Sequence, residues 1–118
     1  MKLQYSELDN NIRFIKLIGS LDMTGTYSIE VEFVRHCEGD GVFVIVDLSR
    51  VNYLSSIGIP MLINTAKSMI SRGGKMVLLS PQPNVAEVLD IVGIQQIIAI
   101  YTDLESAMAA LDSNIGTE

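Results

Sequence analysis

"VFVIVDLSRVNYLSSIGIP", Val42–Pro60, decides how this chain folds. Val42–Asp47 is a short, unbroken, β-branched apolar run, the signature of a strand covered on both faces. From Gly58 the pattern changes period. Ile59, Leu62, Ile63, Ala66, Met69 and Ile70 recur at three- and four-residue intervals, which predicts a core-facing helix over Gly58–Ser71. Pro60 falls in its first turn, where a missing N–H is harmless. Ser55 and Ser56 therefore stand where a buried strand hands over to a helix. In open α/β sheets such strand ends carry functional groups. The pair reads as a helix cap, an anion cradle, a nucleophile or a site of modification.

The elements on either side follow the same alternation. Upstream, Lys2–Leu8 and Ile12–Ile18 alternate in polarity around Asp9, Asn10 and Asn11, which predicts an antiparallel hairpin. Thr24–Cys37 reads as a first helix with Tyr27, Val31 and Val34 at helical spacing, stopped near Gly39. Downstream, Gly73 and Gly74 end the second helix and Lys75–Leu79 is another buried strand. Val85, Val88, Leu89 and Val92 form the inner face of a third helix that ends at Gly93. Ile97–Tyr101 is a last strand, and Asp103 caps a final helix carrying Leu104, Ala107, Met108 and Leu111. The order β-β-α-β-α-β-α-β-α predicts a mostly parallel sheet with helices packed on it.

At 118 residues the chain suits one domain with one core. Tryptophan is absent and aromatics make up 6%, so that core must be aliphatic. The net charge of −6 repels nucleic acid phosphates and anionic lipid, which argues against both as partners. The eight basic residues are scattered. A lone cysteine, Cys37, excludes an internal disulfide and favours a reducing compartment. No apolar run approaches the ~20 residues of a membrane span, and no secretory signal opens the chain. A soluble, cytoplasmic protein is expected.

Little catalytic chemistry is on offer. His36 is the only histidine, and beside Cys37 it reads as a surface imidazole next to a half-buried thiol rather than a metal or catalytic pair. A Ser-His-Asp hydrolase would have to recruit His36 from another element to reach Ser56. No P-loop spacing occurs. Asp47 ends a strand as a receiver's acceptor aspartate would, but no acidic pair follows an earlier strand to hold Mg²⁺.

The central segment resembles the STAS domain, and specifically the bacterial anti-sigma factor antagonists. Their pattern is an apolar strand followed by D-L-S-x-V-x-[FY]-[ILM]-D-S-[ST]-G-[LIV]. Asp47, Leu48, Ser49, Val51, Tyr53, Leu54, Ser56, Gly58 and Ile59 stand in the matching places. The likeness extends to "GSLD" (Gly19–Asp22, family G-x-L-D), the strand from Lys75 and the "VAEVLDIVGI" helix end (Val85–Ile94). Two positions depart from the motif: Ser55 replaces an acid and Ile57 a hydroxyl residue. Pro60 also stands where a small glycine is frequent.

This resemblance implies a single STAS-like domain over 1–112, an α/β fold whose mostly parallel sheet starts with an antiparallel hairpin and carries about four helices, and a flexible tail over 113–118. It implies a binding protein rather than an enzyme, with no cofactor. The unmodified form would bind an anti-sigma factor that is also a serine kinase of GHKL type. Phosphorylation of Ser56 would end binding, and a PP2C-type phosphatase would restore it. Ser55 remains a second candidate acceptor. The partner surface is expected at Asp22, Met23, Ser55, Ile57, Gly58, Met61 and Thr65, with Ile57, Met61, Thr65 and Ser68 on a helix face turned away from the core. Two alternatives stay open: a non-switching scaffold or sensor of the same fold, and an enzyme with Ser56 as nucleophile.

Overall fold

The computed structural model describes the backbone of residues 1–115 and the side chains of residues 1–112. Strands β1 (Lys2–Glu7), β2 (Arg13–Leu21), β3 (Phe43–Leu54), β4 (Lys75–Leu79) and β5 (Ala99–Tyr101) form one sheet in the spatial order of the sequence. The first pair is antiparallel and every later pair parallel. Helices α1 (Met23–His36), α2 (Gly58–Ser71), α3 (Pro83–Ile91) and α4 (Leu104–Ile115) make the crossovers and the final cover. This is the expected fold class. Of the expected tail, residues 113–115 belong to α4, and residues 116–118 lie outside the described residues.

Successive residues of β3 serve opposite faces of the sheet, as a pleated strand dictates. Val44, Val46 and Leu48 join the larger core with Ile29 and Phe33 of α1, Leu62, Ala66 and Met69 of α2, and Val85 and Leu89 of α3. Ile45 points the other way, into a smaller cluster with Ala107 and Leu111 of α4. Coverage on both faces is why Val42–Asp47 contains no polar alternation.

Three expectations need correction. The strand does not stop at Asp47 but runs to Leu54, because two register shifts against β2 let Arg50, Val51, Tyr53 and Leu54 pair with it as well. The last strand is shorter than expected, since Ile94–Gln96 forms a single 3-10 turn before Ala99. Most consequentially, the apolar spacing that marks α1 in the sequence is not its buried face. Its buried residues are Gly25, Thr26, Ile29 and Phe33, while Tyr27, Val31 and Val34 lie in water. Both stripes have helical spacing, so periodicity cannot choose between them. The choice is made by Phe33, the largest buried side chain, and by Gly25. A Cβ on Gly25 would lie 1.9 Å from the Ser20 carbonyl oxygen, so only glycine lets the first turn of α1 sit against the end of β2. At helix edges, Ile70, Val92 and Leu104 are also exposed rather than inward.

Cys37 closes α1 from inside and is fully buried, not half-buried. Burial pushes its thiol up to about 12, only partly offset by Arg13 and Arg72 nearby. The folded chain thus keeps a proton that the unfolded thiol releases near the ordinary value of about 8.5. The resulting stability is complete below that value and is lost as pH rises towards 12, by up to about 1.4 kcal/mol per pH unit. Urea midpoints at pH 8 and pH 10 should therefore fall more steeply for the wild type than for Cys37→Ala, which starts lower because of its cavity.

Candidate functional site: a serine pair at the head of helix α2

The register shifts in β3 bring Leu54 opposite Leu21, so β2 and β3 end side by side. Two loops then leave the same sheet edge. In the first, the Asp22 carboxylate accepts from the Gly25 N–H at 2.7 Å and caps α1. In the second, Ser55 ties the loops together. Its backbone N–H and its hydroxyl both donate to the Leu21 carbonyl, at 3.0 and 2.7 Å. Its Oγ accepts from the Ile57 N–H at 3.2 Å, and its carbonyl accepts from the Gly58 N–H at 3.1 Å. Gly58 is buried, and a Cβ there would press on Leu54 and Leu21 at about 3 Å.

Ser55 therefore supplies the cap-like bonds, and its half-buried hydroxyl is committed to the backbone. Ser55→Ala should destabilise the domain by about 1–2 kcal/mol in urea titrations, because it removes one bond across the loops and one at the helix start. Ser56 differs in every respect. It is exposed, and its hydroxyl has no hydrogen-bond partner among the described residues. It stands two residues before the first residue of α2, where the helix dipole presents its positive end.

Beyond Ser56 opens a cleft of about 710 Å³ between α1 and α2, with Ile57, Pro60 and Met61 on one wall and Tyr27 and Val34 on the other. Here the expected partner surface is partly corrected. Met61 and Thr65 do not point away from the core: they are 4% and 8% exposed, because α2 leans its Ile57–Met61–Thr65 face on α1. They reach the cleft only as part of its lining. Asp22, Met23 and Ser55 lie at the loop end of the same region, Met23 exposed and Asp22 occupied as a cap. The walls contributed by Tyr27, Glu30 and Val34 were missed, since in the sequence Tyr27 and Val34 served only to mark the helical spacing of α1.

Among the described residues, neither His36 nor Asp47 is placed to serve Ser56 as a catalytic base. His36 stacks on the ring of Tyr5, with centroids 4.0 Å apart, and its Nε2 lies 3.8 Å from Glu32. It ends a 14-residue helix whose other end is beside Ser55, a separation of about 20 Å. Asp47 is buried, with Oδ1 accepting from the Ser49 N–H at 2.9 Å. Among the described residues no group of three or more His, Cys, Asp or Glu side chains could hold a metal ion. No helix there is long and apolar enough to cross a membrane.

The model of the STAS domain family matches residues 6–107. The chain belongs to the STAS domain family. A candidate anti-sigma factor antagonist of Bordetella bronchiseptica, BtrV, is 29% identical to this STAS domain over 110 residues, covering 93% of this chain and 94% of that protein. The anti-sigma F factor antagonist of Paenibacillus polymyxa is 24% identical over 118 residues, covering 95% and 97%. Among solved structures, the anti-sigma factor antagonist SpoIIAA in its unphosphorylated form superposes with a TM-score of 0.77 at 20% identity, over 95% of this chain and 97% of that one. The phosphorylated form of SpoIIAA from Bacillus gives 0.67 at 18% identity, over 92% and 99%. These likenesses establish the fold. A STAS domain of this kind is a regulatory binding module, not an enzyme.

Proposed function

We propose that this STAS domain is a cytoplasmic anti-sigma factor antagonist that works as a phosphorylation-controlled docking module. Unmodified, it binds an anti-sigma factor that is also a GHKL-type serine kinase, and so frees a sigma factor. Phosphate on Ser56 ends that binding, and a PP2C-type phosphatase restores it. The observation that carries this reading is the division of labour between the two serines: Ser55 is bonded into the scaffold, while Ser56 offers an exposed hydroxyl beside an apolar cleft.

The physics of the switch is local. A phosphate brings about −1.5 to −2 charges. At the head of α2 the positive end of the helix dipole tolerates them, so the domain keeps its fold. Against a partner packed over Ile57, Pro60 and Met61, the same charge must be stripped of water without compensation. The names of the related proteins and the existence of SpoIIAA in both phosphorylation states agree with this reading.

Incubation with the partner kinase and ATP, followed by peptide mapping by mass spectrometry, is expected to place a single phosphate on Ser56 and none on Ser55. Modification of Ser55 instead would contradict the assignment. No phosphate on either serine would favour a non-switching scaffold, the reading suggested by Ser55 and Ile57 replacing the family's acid and hydroxyl residue.

A further inference from the structure

The outer stripe of α1 is unexplained by the fold. Tyr27 and Val31 are 63% and 70% exposed, and Val34 lies one turn further along the same side. An apolar row on an otherwise acidic domain marks an interaction surface. It borders the cleft that begins at Ser56, so the two form one continuous face. Glu30 and Glu38 line that cleft, and neither has an ion-pair partner among the described residues. The neighbouring cations are fixed on neutral acceptors: Arg72 donates to the carbonyls of Gly39 and Cys37 and to the Ser68 hydroxyl, and Arg13 to the carbonyls of His36 and Glu38. Thr26 also lines the cleft. Its Oγ1 is buried and has no hydrogen-bond partner among the described residues.

We propose that the outer stripe of α1 and the α1–α2 cleft together seat an amphipathic helix of a protein partner, with its apolar face on Tyr27, Val31 and Val34 and a Lys or Arg edge on Glu30 and Glu38. This rests on the docking-module reading and deepens it. A helix suits the site because the anchors recur at four and three residues along a groove between two helices. A basic edge suits it because Glu30 and Glu38 outnumber the one cation of the lining, Arg72, and neither is ion-paired among the described residues. A second copy of the chain suits it poorly. Pairing through this face would bring two acidic rims together, each on a chain already at −6. The two ends of the face also divide the work. Ser56 lies among apolar groups at the head of α1 and α2, whereas Glu38 lies past the far end of α1. The α1 stripe thus seats the helix, and a charge on Ser56 acts against the part of the partner packed over the head of the cleft.

The test needs no kinase. The isotope-labelled full chain is titrated with a synthetic helical peptide of about 16 residues bearing a leucine face and lysine edges, long enough to span the groove. Expected are saturable shifts of amides in Tyr27–Glu38 and Ile57–Arg72. Binding should weaken at least tenfold with Val31→Lys and several-fold with Glu30→Lys, and vanish for a peptide with glutamate edges. Ile91→Lys, at an exposed apolar site on α3, should leave it unchanged. No saturable shifts, shifts scattered over the surface, or equal losses from Ile91→Lys and Val31→Lys would overturn the proposal. So would a dimer in sedimentation that Val31→Lys dissolves, which would assign the face to a second copy. None of those failures touches the Ser56 assignment, which stands or falls on phosphate mapping.

Discussion

Ser56→Asp is expected to weaken binding to the kinase partner by about a hundredfold or more, equivalent to about 2.7 kcal/mol, while the domain melts at an unchanged or slightly higher temperature. The two halves of that result have one cause. An exposed carboxylate at the head of α2 faces the positive end of the helix dipole, a position that stabilises by about 0.3–1 kcal/mol. In the complex the same carboxylate must lose its water against Ile57, Pro60 and Met61, which offer no countercharge. Ser56→Ala removes a hydroxyl that has no bond within the described residues, so it should bind as tightly as the wild type and accept no phosphate. Calorimetric titration of the three chains against the partner, beside their thermal melts, separates loss of docking from loss of fold.

Gly25→Ala should be the most damaging single methyl group in the region. In an exposed helix interior this change stabilises by up to about 1 kcal/mol. Here the sign reverses, because the new Cβ would sit 1.9 Å from the Ser20 carbonyl oxygen and 3.1 Å from Asp22 Oδ1. A backbone oxygen at the end of a strand cannot swing aside as a side chain can. The first turn of α1 must lift off the sheet, at a cost of about 3 kcal/mol, the upper end for overpacking. That corresponds to a fall of roughly 10–15 °C in melting temperature for a domain of this size. The displacement would also pull on Leu21, whose carbonyl receives both bonds from Ser55, so partner binding should fall with stability. Thr24→Ala, exposed in the same turn, should change stability by no more than about 0.5 kcal/mol.

The course of the chain was legible in the sequence because its strands and helices differ so clearly in period. The unbroken Val42–Asp47 run and the three-and-four spacing of Gly58–Ser71 leave little choice, and the helix bounds agree with the structure. What could not be read was which face of α1 is buried. With Tyr27, Val31 and Val34 on one side and Ile29 and Phe33 on the other, the helix has two apolar stripes. The burial of Phe33 and the contact of Gly25 with Ser20, which joins residues from two elements, settle which one is buried. A similar limit applied to Met61 and Thr65, whose place on the wheel looked solvent-facing until α1 was laid beside them. At the serine pair the sequence supplied the location and the motif supplied the choice of Ser56. What ties the Ser55 hydroxyl into the scaffold is a hydrogen bond to a residue 34 positions earlier, which no local pattern contains.

The sharpest measurement uses a chain phosphorylated only at Ser56, titrated with the partner kinase alongside the unmodified chain while amide spectra of both are recorded. Expected is a native spectrum with shifts confined to the neighbourhood of Leu54–Met61, together with loss of partner binding by about a hundredfold or more. Undiminished affinity of the phosphorylated chain, or a spectrum showing that the phosphate unfolds the domain, would contradict a switch that acts at the surface alone.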